Sequence, residues 1–120
     1  MPDKKTCFII MPITTPEELI PRFKNDKNHF LHVLENLFVP AIEKADFKSI
    51  KPIAKGSDLI HAEIIKNLNV ADLVLCDMSI LNPNVFFEYG IRISGRNRGD
   101  KVIISSNSWS KSNYFSSSID

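Results

Sequence analysis

Glu88 is the residue whose type and position in the chain most clearly suggest chemistry. It lies within residues 82–90 (Asn-Pro-Asn-Val-Phe-Phe-Glu-Tyr-Gly), shortly after an apolar run that ends at Asp77. Such a run is typical of a buried parallel strand. Asn84 is a suitable N-cap, and Pro83 keeps the residues before it out of a helix. The pattern predicts a carboxylate in the opening turns of a helix, where open α/β sheets bind their ligands.

Apolar side chains occupy two nearly opposite faces of this predicted helix, with Glu88 and Arg92 between them. We therefore expect the helix to be covered on two sides. One face consists of Val85, Phe86, Tyr89 and Ile93, and the other of Phe87 and Ile91. Two explanations of Glu88 remain open. Either it forms an exposed ion pair with Arg92, worth a few tenths of a kcal/mol, or it is a functional carboxylate held between two apolar faces.

Other polar groups fall at the same predicted edge of the sheet. Asp77 ends a buried strand there, and it either accepts hydrogen bonds from loop N–H groups or holds a ligand hydroxyl. The long loop at 12–27 contains no glycine, which argues against a glycine-rich dinucleotide motif or a P-loop. Its candidate phosphate contacts are Thr14, Thr15, Arg22, Lys24 and Lys27. Gly56 and Ser57 offer backbone N–H groups to an anion at a helix start.

The histidines and cysteines form no catalytic or metal-binding pattern. The three histidines fall on predicted helices and are interpreted as surface or partly covered side chains: His29, His32 and His61. Cys7 and Cys76 lie in neighbouring predicted strands, but an offset of roughly 10 Å along the strands is too long for a disulfide. We expect two buried thiols, no metal site and no cofactor.

Predicted strands and helices alternate along the chain, beginning and ending with a strand. Their bounds are 6–11, 28–45, 47–53, 58–67, 71–77, 84 onward and 101–105. Pro40 is expected to kink or restart the first helix. The alternation predicts right-handed crossovers and a doubly wound, flavodoxin- or Rossmann-like α/β fold. We expect a parallel sheet of strand order 2-1-3-4 with helices on both faces. The loops after Met11 and Asp77 then face each other across a crevice.

Length and composition indicate one α/β domain at 1–105 and a serine-rich, loosely ordered tail at 106–120. The chain has 120 residues, 43% of them apolar and 24% charged, which is ordinary for a globular protein. Its net charge of +1 predicts no nucleic-acid or membrane partner. No signal peptide or membrane span is visible in the sequence, so the expected location is cytoplasmic.

Four segments together carry a resemblance to a known group of proteins. They are 8–13 (Phe-Ile-Ile-Met-Pro-Ile), 39–43 (Val-Pro-Ala-Ile-Glu), 56–58 (Gly-Ser-Asp), and 71–77 running into 82–91. The chain resembles the nucleoside 2-deoxyribosyltransferase-like superfamily. More narrowly, it is similar to bacterial nucleotide-binding domains grouped with Toll/interleukin-1-receptor-like (TIR-like) folds.

The resemblance implies that Glu88 is the catalytic residue for cleavage of an N-glycosidic bond. As the base leaves, C1′ becomes oxocarbenium-like, and a carboxylate beside it stabilises the cation or bonds to it. The implied small-molecule partner is a nucleotide or nucleoside, with NAD as a possible substrate rather than a cofactor. Substrate-binding positions are placed by location at Met11, Pro12, Ile13, Thr14, Asp77, Ser79, Asn82 and Asn84. The phosphate-binding positions are Gly56 and Ser57.

The chain departs from deoxyribosyltransferases in two places. Residues 82–84 replace a small-residue or glycine-containing stretch, and serines follow the fourth strand where those enzymes continue into further strand and helix. The site is then open, completed by a second subunit, or retained without turnover. The alternative function is therefore a non-catalytic nucleotide-sensing or assembly module with a TIR-like fold. In that case Phe87 and Ile91 form a homo-oligomer contact.

Overall fold

The structure, a computed structural model, describes residues 4–52, 58–94, 101–106 and 117–119, with no side-chain detail for 58–61 and 117–119. Within these residues the strands form one sheet in the order β2-β1-β3-β4-β5. The strands are β1 Thr6–Ile10, β2 Lys48–Ile50, β3 Leu73–Asp77, β4 Val102–Ser105 and β5 Ser117–Ile119. Strands β1 to β4 are parallel to their neighbours, which confirms the predicted order 2-1-3-4.

The end of the chain differs from the predicted loosely ordered tail at 106–120. Strand β5 pairs antiparallel with β4, and Ile119 lies beside Val102. A fifth strand therefore covers the edge of β4, although it is antiparallel and only three residues long. Residues 107–116 of the predicted tail lie outside the described residues.

The predicted helix at 28–45 consists of three consecutive pieces. They are α1 His29–Val33, one π-helical segment at Leu34–Phe38 and α2 Val39–Lys44. Pro40 lies in the first turn of α2. A missing N–H is tolerated there because the wider turn before it already departs from α-helical hydrogen bonding. The expected restart of the helix at Pro40 is confirmed.

The remaining helical segments lead into and out of the carboxyl edge of the sheet. A 3-10 helix at Glu17–Phe23 lies in the loop after β1, α3 covers Asp58–Val70 and α4 covers Pro83–Ser94. Across the part of the chain that the structure describes, no helix has the length and apolar character needed to cross a membrane.

Alternating side chains of β1 and β3 build a hydrophobic core on each face of the sheet. One core joins the sheet to α1 and α2 and includes Cys7, Ile9, Phe30, Phe38 and Leu75. The other joins the sheet to α3 and α4 and includes Phe8, Ile10, Leu68, Cys76 and Val85. The doubly wound, flavodoxin-like arrangement with helices on both faces is therefore confirmed.

Cys7 and Cys76 are free, buried thiols on opposite faces of the sheet. In the β1–β3 register Cys7 lies beside Leu73 and Ile10 lies beside Cys76, so the cysteines are three positions apart. The prediction that they form no disulfide is confirmed. Burial raises the pKa of each thiol to about 12, which makes both thiols poor nucleophiles.

Candidate functional site

A cavity of about 380 Å³ opens at the carboxyl edge of the sheet, and Glu88 forms part of its wall. The Glu88 side chain comes from α4 and is only 9% exposed. Six of the predicted substrate-binding residues line the same cavity: Met11, Pro12, Ile13, Thr14, Asn82 and Asn84. The loop after β1 and the start of α4 therefore meet around one carboxylate, as the predicted crevice requires.

Asn82, rather than Asn84, is the N-cap of α4. The Oδ1 atom of Asn82 accepts hydrogen bonds from the backbone N–H of Asn84 at 2.9 Å and of Val85 at 3.1 Å. Pro83 takes the first helical position, where its missing N–H has no intrahelical partner to lose. The predicted cap at Asn84 is therefore wrong, because the carboxamide two residues earlier satisfies the free N–H groups.

The prediction that α4 is covered on two sides is also wrong. Val85, Glu88 and Arg92 face the protein interior. Phe86 and Phe87 are 40% and 65% exposed. Polarity alone assigned the faces incorrectly, because Arg92 binds backbone carbonyls inside the fold and Glu88 lines the cavity. Neither phenylalanine ring belongs to the two cores built from the described residues.

The exposed Glu88–Arg92 ion pair is excluded as the explanation of Glu88, since neither side chain is exposed. Arg92 is 1% exposed. Its Nη1 donates hydrogen bonds at 3.1 and 2.8 Å, and its Nη2 at 3.4 and 3.2 Å, to backbone carbonyls. These belong, in that order, to Leu68, Ala71, Asp72 and Lys101. The guanidinium thus stabilises the carboxyl end of α3 and ties α4 to the starts of β3 and β4.

Asp77 is fully buried at the end of β3. Its Oδ1 accepts hydrogen bonds from the backbone N–H of Ser79 at 2.8 Å and from the Ser79 hydroxyl at 2.5 Å. For Oδ2 no hydrogen-bond partner lies among the described residues. Burial raises the pKa of the carboxyl from 3.8 to about 6, although the Ser79 hydrogen bonds act in the opposite direction. The geometry supports the structural explanation of Asp77, an acceptor for loop groups.

The remaining predicted site residues are not among the described residues that line the cavity. Asp77 and Ser79 follow β3 at the same sheet edge as the cavity. Gly56 and Ser57 lie outside the described residues. Thr15 is buried, and its hydroxyl has no hydrogen-bond partner within the described part of the chain.

Sequence reasoning missed part of the cavity wall. Pro52 after β2 and Ile64 on α3 both line it. Their apolar side chains follow the same pattern as core residues, so no sequence signal separates the two roles. Only the packing of α3 against α4 brings Ile64 beside Val85 and the cavity.

The histidines lie away from the cavity wall where the structure describes their side chains. His29 is half-buried and stacks on Phe23, with ring centroids 4.0 Å apart. Burial lowers the pKa of His29. The Nδ1 atom of His32 lies 2.6 Å from a carboxylate oxygen of Asp26 on the surface. The side chain of His61 lies outside the described residues.

Fold and site together define the class: a doubly wound α/β protein with a buried carboxylate in a cavity at the switch point between β1 and β3. Within the described residues, no group of three or more His, Cys, Asp or Glu side chains is arranged to hold a metal ion. In comparisons with known proteins, no family model, curated protein or solved structure matches the chain.

Proposed function

We propose that this protein cleaves or transfers the N-glycosidic bond of a nucleotide or nucleoside, such as NAD or a nucleoside monophosphate. Glu88 acts as the nucleophile or stabilises the oxocarbenium-like transition state. The observation that carries the proposal is the buried Glu88 carboxylate in the wall of a cavity at the sheet switch point. The resemblance of 71–91 to deoxyribosyltransferase-like and TIR-like proteins supports the same role. The proposed location is cytoplasmic.

The chemistry needs a carboxylate in these surroundings. When the C1′–N bond breaks, the base leaves with the bonding electrons and positive charge develops at C1′ and the ring oxygen. Glu88 either donates an electron pair to C1′, forming a glycosyl ester, or stabilises the charge until water or another acceptor attacks. With only 9% of the side chain exposed, little water screens this interaction.

The other cavity residues are proposed to bind and orient the substrate. A volume of about 380 Å³ falls within the usual range for small-molecule sites. The Thr14 hydroxyl and the Asn84 carboxamide supply hydrogen bonds to a sugar or a base, and Met11 to Ile13 supply backbone groups. Asn82 contributes mainly by capping α4, because its Oδ1 is already engaged. Gly56 and Ser57 remain the proposed phosphate contacts.

Base release tests this function directly. The purified protein is incubated with NAD and a panel of nucleosides and nucleotides, and the free base is measured by chromatography. We expect release by the wild type and a loss of about 100-fold or more in Glu88→Gln, a typical effect of removing one transition-state contact. Glu63→Gln is the matched control, since Glu63 is exposed on α3. No release from any compound by wild type, or equal release by Glu88→Gln, would refute the proposal.

A second candidate function is a non-catalytic nucleotide-sensing or assembly module. The exposed phenylalanine rings of α4 favour it, because large exposed apolar groups are typical of contact surfaces. Thermal melting separates the two functions. A nucleotide that raises the melting temperature of the wild type without any base release supports sensing. A protein whose melting temperature no nucleotide changes is not a nucleotide sensor.

A further inference from the structure

Helix α4 packs Val85 into the core but also exposes several large apolar side chains to solvent. Its two charged residues, Glu88 and Arg92, are buried. Its exposed large side chains are apolar: Phe86 at 40%, Phe87 at 65% and Ile93 at 45%. A surface helix normally presents charged residues to water and apolar residues to the core. Neighbouring exposed apolar side chains of this kind are typical of contact surfaces.

Gly90 lies at the centre of this exposed face. At 100° per residue, Phe86 and Ile93 lie on one side of Gly90, and Phe87 and Ser94 lie on the other. A Cβ atom placed at Gly90 meets no atom of the described residues within 4 Å, so neither the helix nor its described neighbours require a glycine at this position. Glycine inside a helix costs about 1 kcal/mol relative to alanine. Because Gly90 has no side chain, another backbone can approach the helix closely between the two pairs of side chains.

We infer that the exposed face of α4 is the contact surface for a second copy of this chain, with the two α4 helices crossing at Gly90. The face is self-complementary, since Gly90 meets its own copy at the axis and the phenylalanine rings of both copies flank that point. A two-fold contact brings residues near the axis against their own copies. The exposed residues of α4 carry no charge, so no like charges meet there. The sequence suggests a contact at Phe87 and Ile91. Because Ile91 is half-buried and Gly90 is exposed, the proposed contact consists of Phe87 and Gly90 instead.

The exposed face of α4 is small compared with the interface of a stable dimer. A contact between two 12-residue helices of this composition buries roughly 500 Å² per copy, below the ~800 Å² of a standard interface. The dimer is therefore weak, with a dissociation constant on the order of 10 to 100 µM, and it forms in a concentration-dependent way. This inference is independent of base release, so the two proposals fail separately.

Sedimentation of the whole chain tests the inference. From about 1 to 500 µM, a range chosen to span the expected dissociation constant, the wild type is expected to shift from monomer to dimer. Gly90→Lys places like charges at the two-fold axis and is expected to raise the dissociation constant at least about 10-fold. The variant remains folded because the Cβ position is open and lysine is a good helix former. Phe87→Ser, which removes a ring without adding charge, is expected to weaken the dimer as well.

Leu31→Lys is the matched control, because Leu31 is 43% exposed on α1 and the substitution adds the same charge. We expect it to dimerise like the wild type, and circular dichroism checks that all variants are folded. A wild type that stays monomeric over the whole range would overturn the inference. Dimerisation of folded Gly90→Lys and Phe87→Ser at wild-type strength would overturn it too, as would equal loss in Leu31→Lys.

Discussion

Glu88 and Arg92 lie one turn apart on α4 and are both buried, yet their surroundings differ. Arg92 donates hydrogen bonds to carbonyls from the end of α3 and the starts of β3 and β4. Its charge therefore serves the packing of several elements at the far end of the helix. Glu88 forms part of the cavity wall at the other end of the sheet. One helix thus carries a cation bound to backbone carbonyls and a carboxylate in the wall of the cavity.

Asp77 gives the fold a defined dependence on pH. Its carboxyl is fully buried, and burial raises its pKa from 3.8 to about 6. Between these two values the folded state keeps the proton while the unfolded state has released it. Stability is therefore highest below pH 3.8 for this group and falls as the pH rises through about 6. The expected loss at pH 7 is about 3 kcal/mol.

Urea denaturation at pH 4 and pH 7 measures this effect in the wild type and in Asp77→Asn. From pH 4 to pH 7 the free energy of unfolding is expected to fall by about 2 kcal/mol more in the wild type than in Asp77→Asn, because asparagine does not titrate. Asp46→Asn is the control, since the Asp46 side chain is 84% exposed. An identical pH dependence in wild type and Asp77→Asn would contradict the burial of an ionisable Asp77.

At the scale of the element, the start of α4 depends on the Asn82 side chain. Asn82→Ala removes the acceptor for two backbone N–H groups, so the free energy of unfolding is expected to fall by about 1 kcal/mol. Asn82→Asp keeps the acceptor and is expected to retain most of the stability. Asn84→Ala is the informative comparison, because the sequence pattern predicts the cap there. Chemical denaturation showing a larger loss in Asn84→Ala than in Asn82→Ala would contradict the observed cap.

At the scale of the element, the sequence predicted the position of α4 but not which of its faces is buried. Periodicity correctly located the helix and its carboxylate, because local pattern and capping residues are encoded within a few positions. It did not assign the buried face. The carbonyls that bind Arg92 come from Leu68 on α3, from Ala71 directly after α3 and from Lys101 directly before β4. Such partners are distant in sequence, so only the assembled fold shows that a charge is buried there.

The strand order of the sheet was easier to predict than the buried face of α4. Alternating strands and helices joined by right-handed crossovers leave few arrangements, and the observed order of β1 to β4 is the predicted one. Strand β5 was not predictable from its serine-rich sequence, which has weak strand propensity. Its backbone instead pairs with the otherwise open edge of β4, and that pairing depends on tertiary structure rather than composition.

Covering the edge of β4 has a testable consequence for the whole molecule. In a chain that ends at Ser106, β4 loses the partner that pairs with Val102 to Ile104. Backbone amides of β4 that bond to β5 are expected to exchange with solvent at least about 10-fold faster, and the unfolding free energy is expected to fall by about 1 to 3 kcal/mol. Amides of β1 serve as the internal control, since β1 pairs with β2 and β3 only. Hydrogen exchange is measured by mass spectrometry on the full chain and on the chain that ends at Ser106. Unchanged exchange in β4 would show that β5 does not protect this edge. Faster exchange confined to β4 would establish that the serine-rich end completes the sheet.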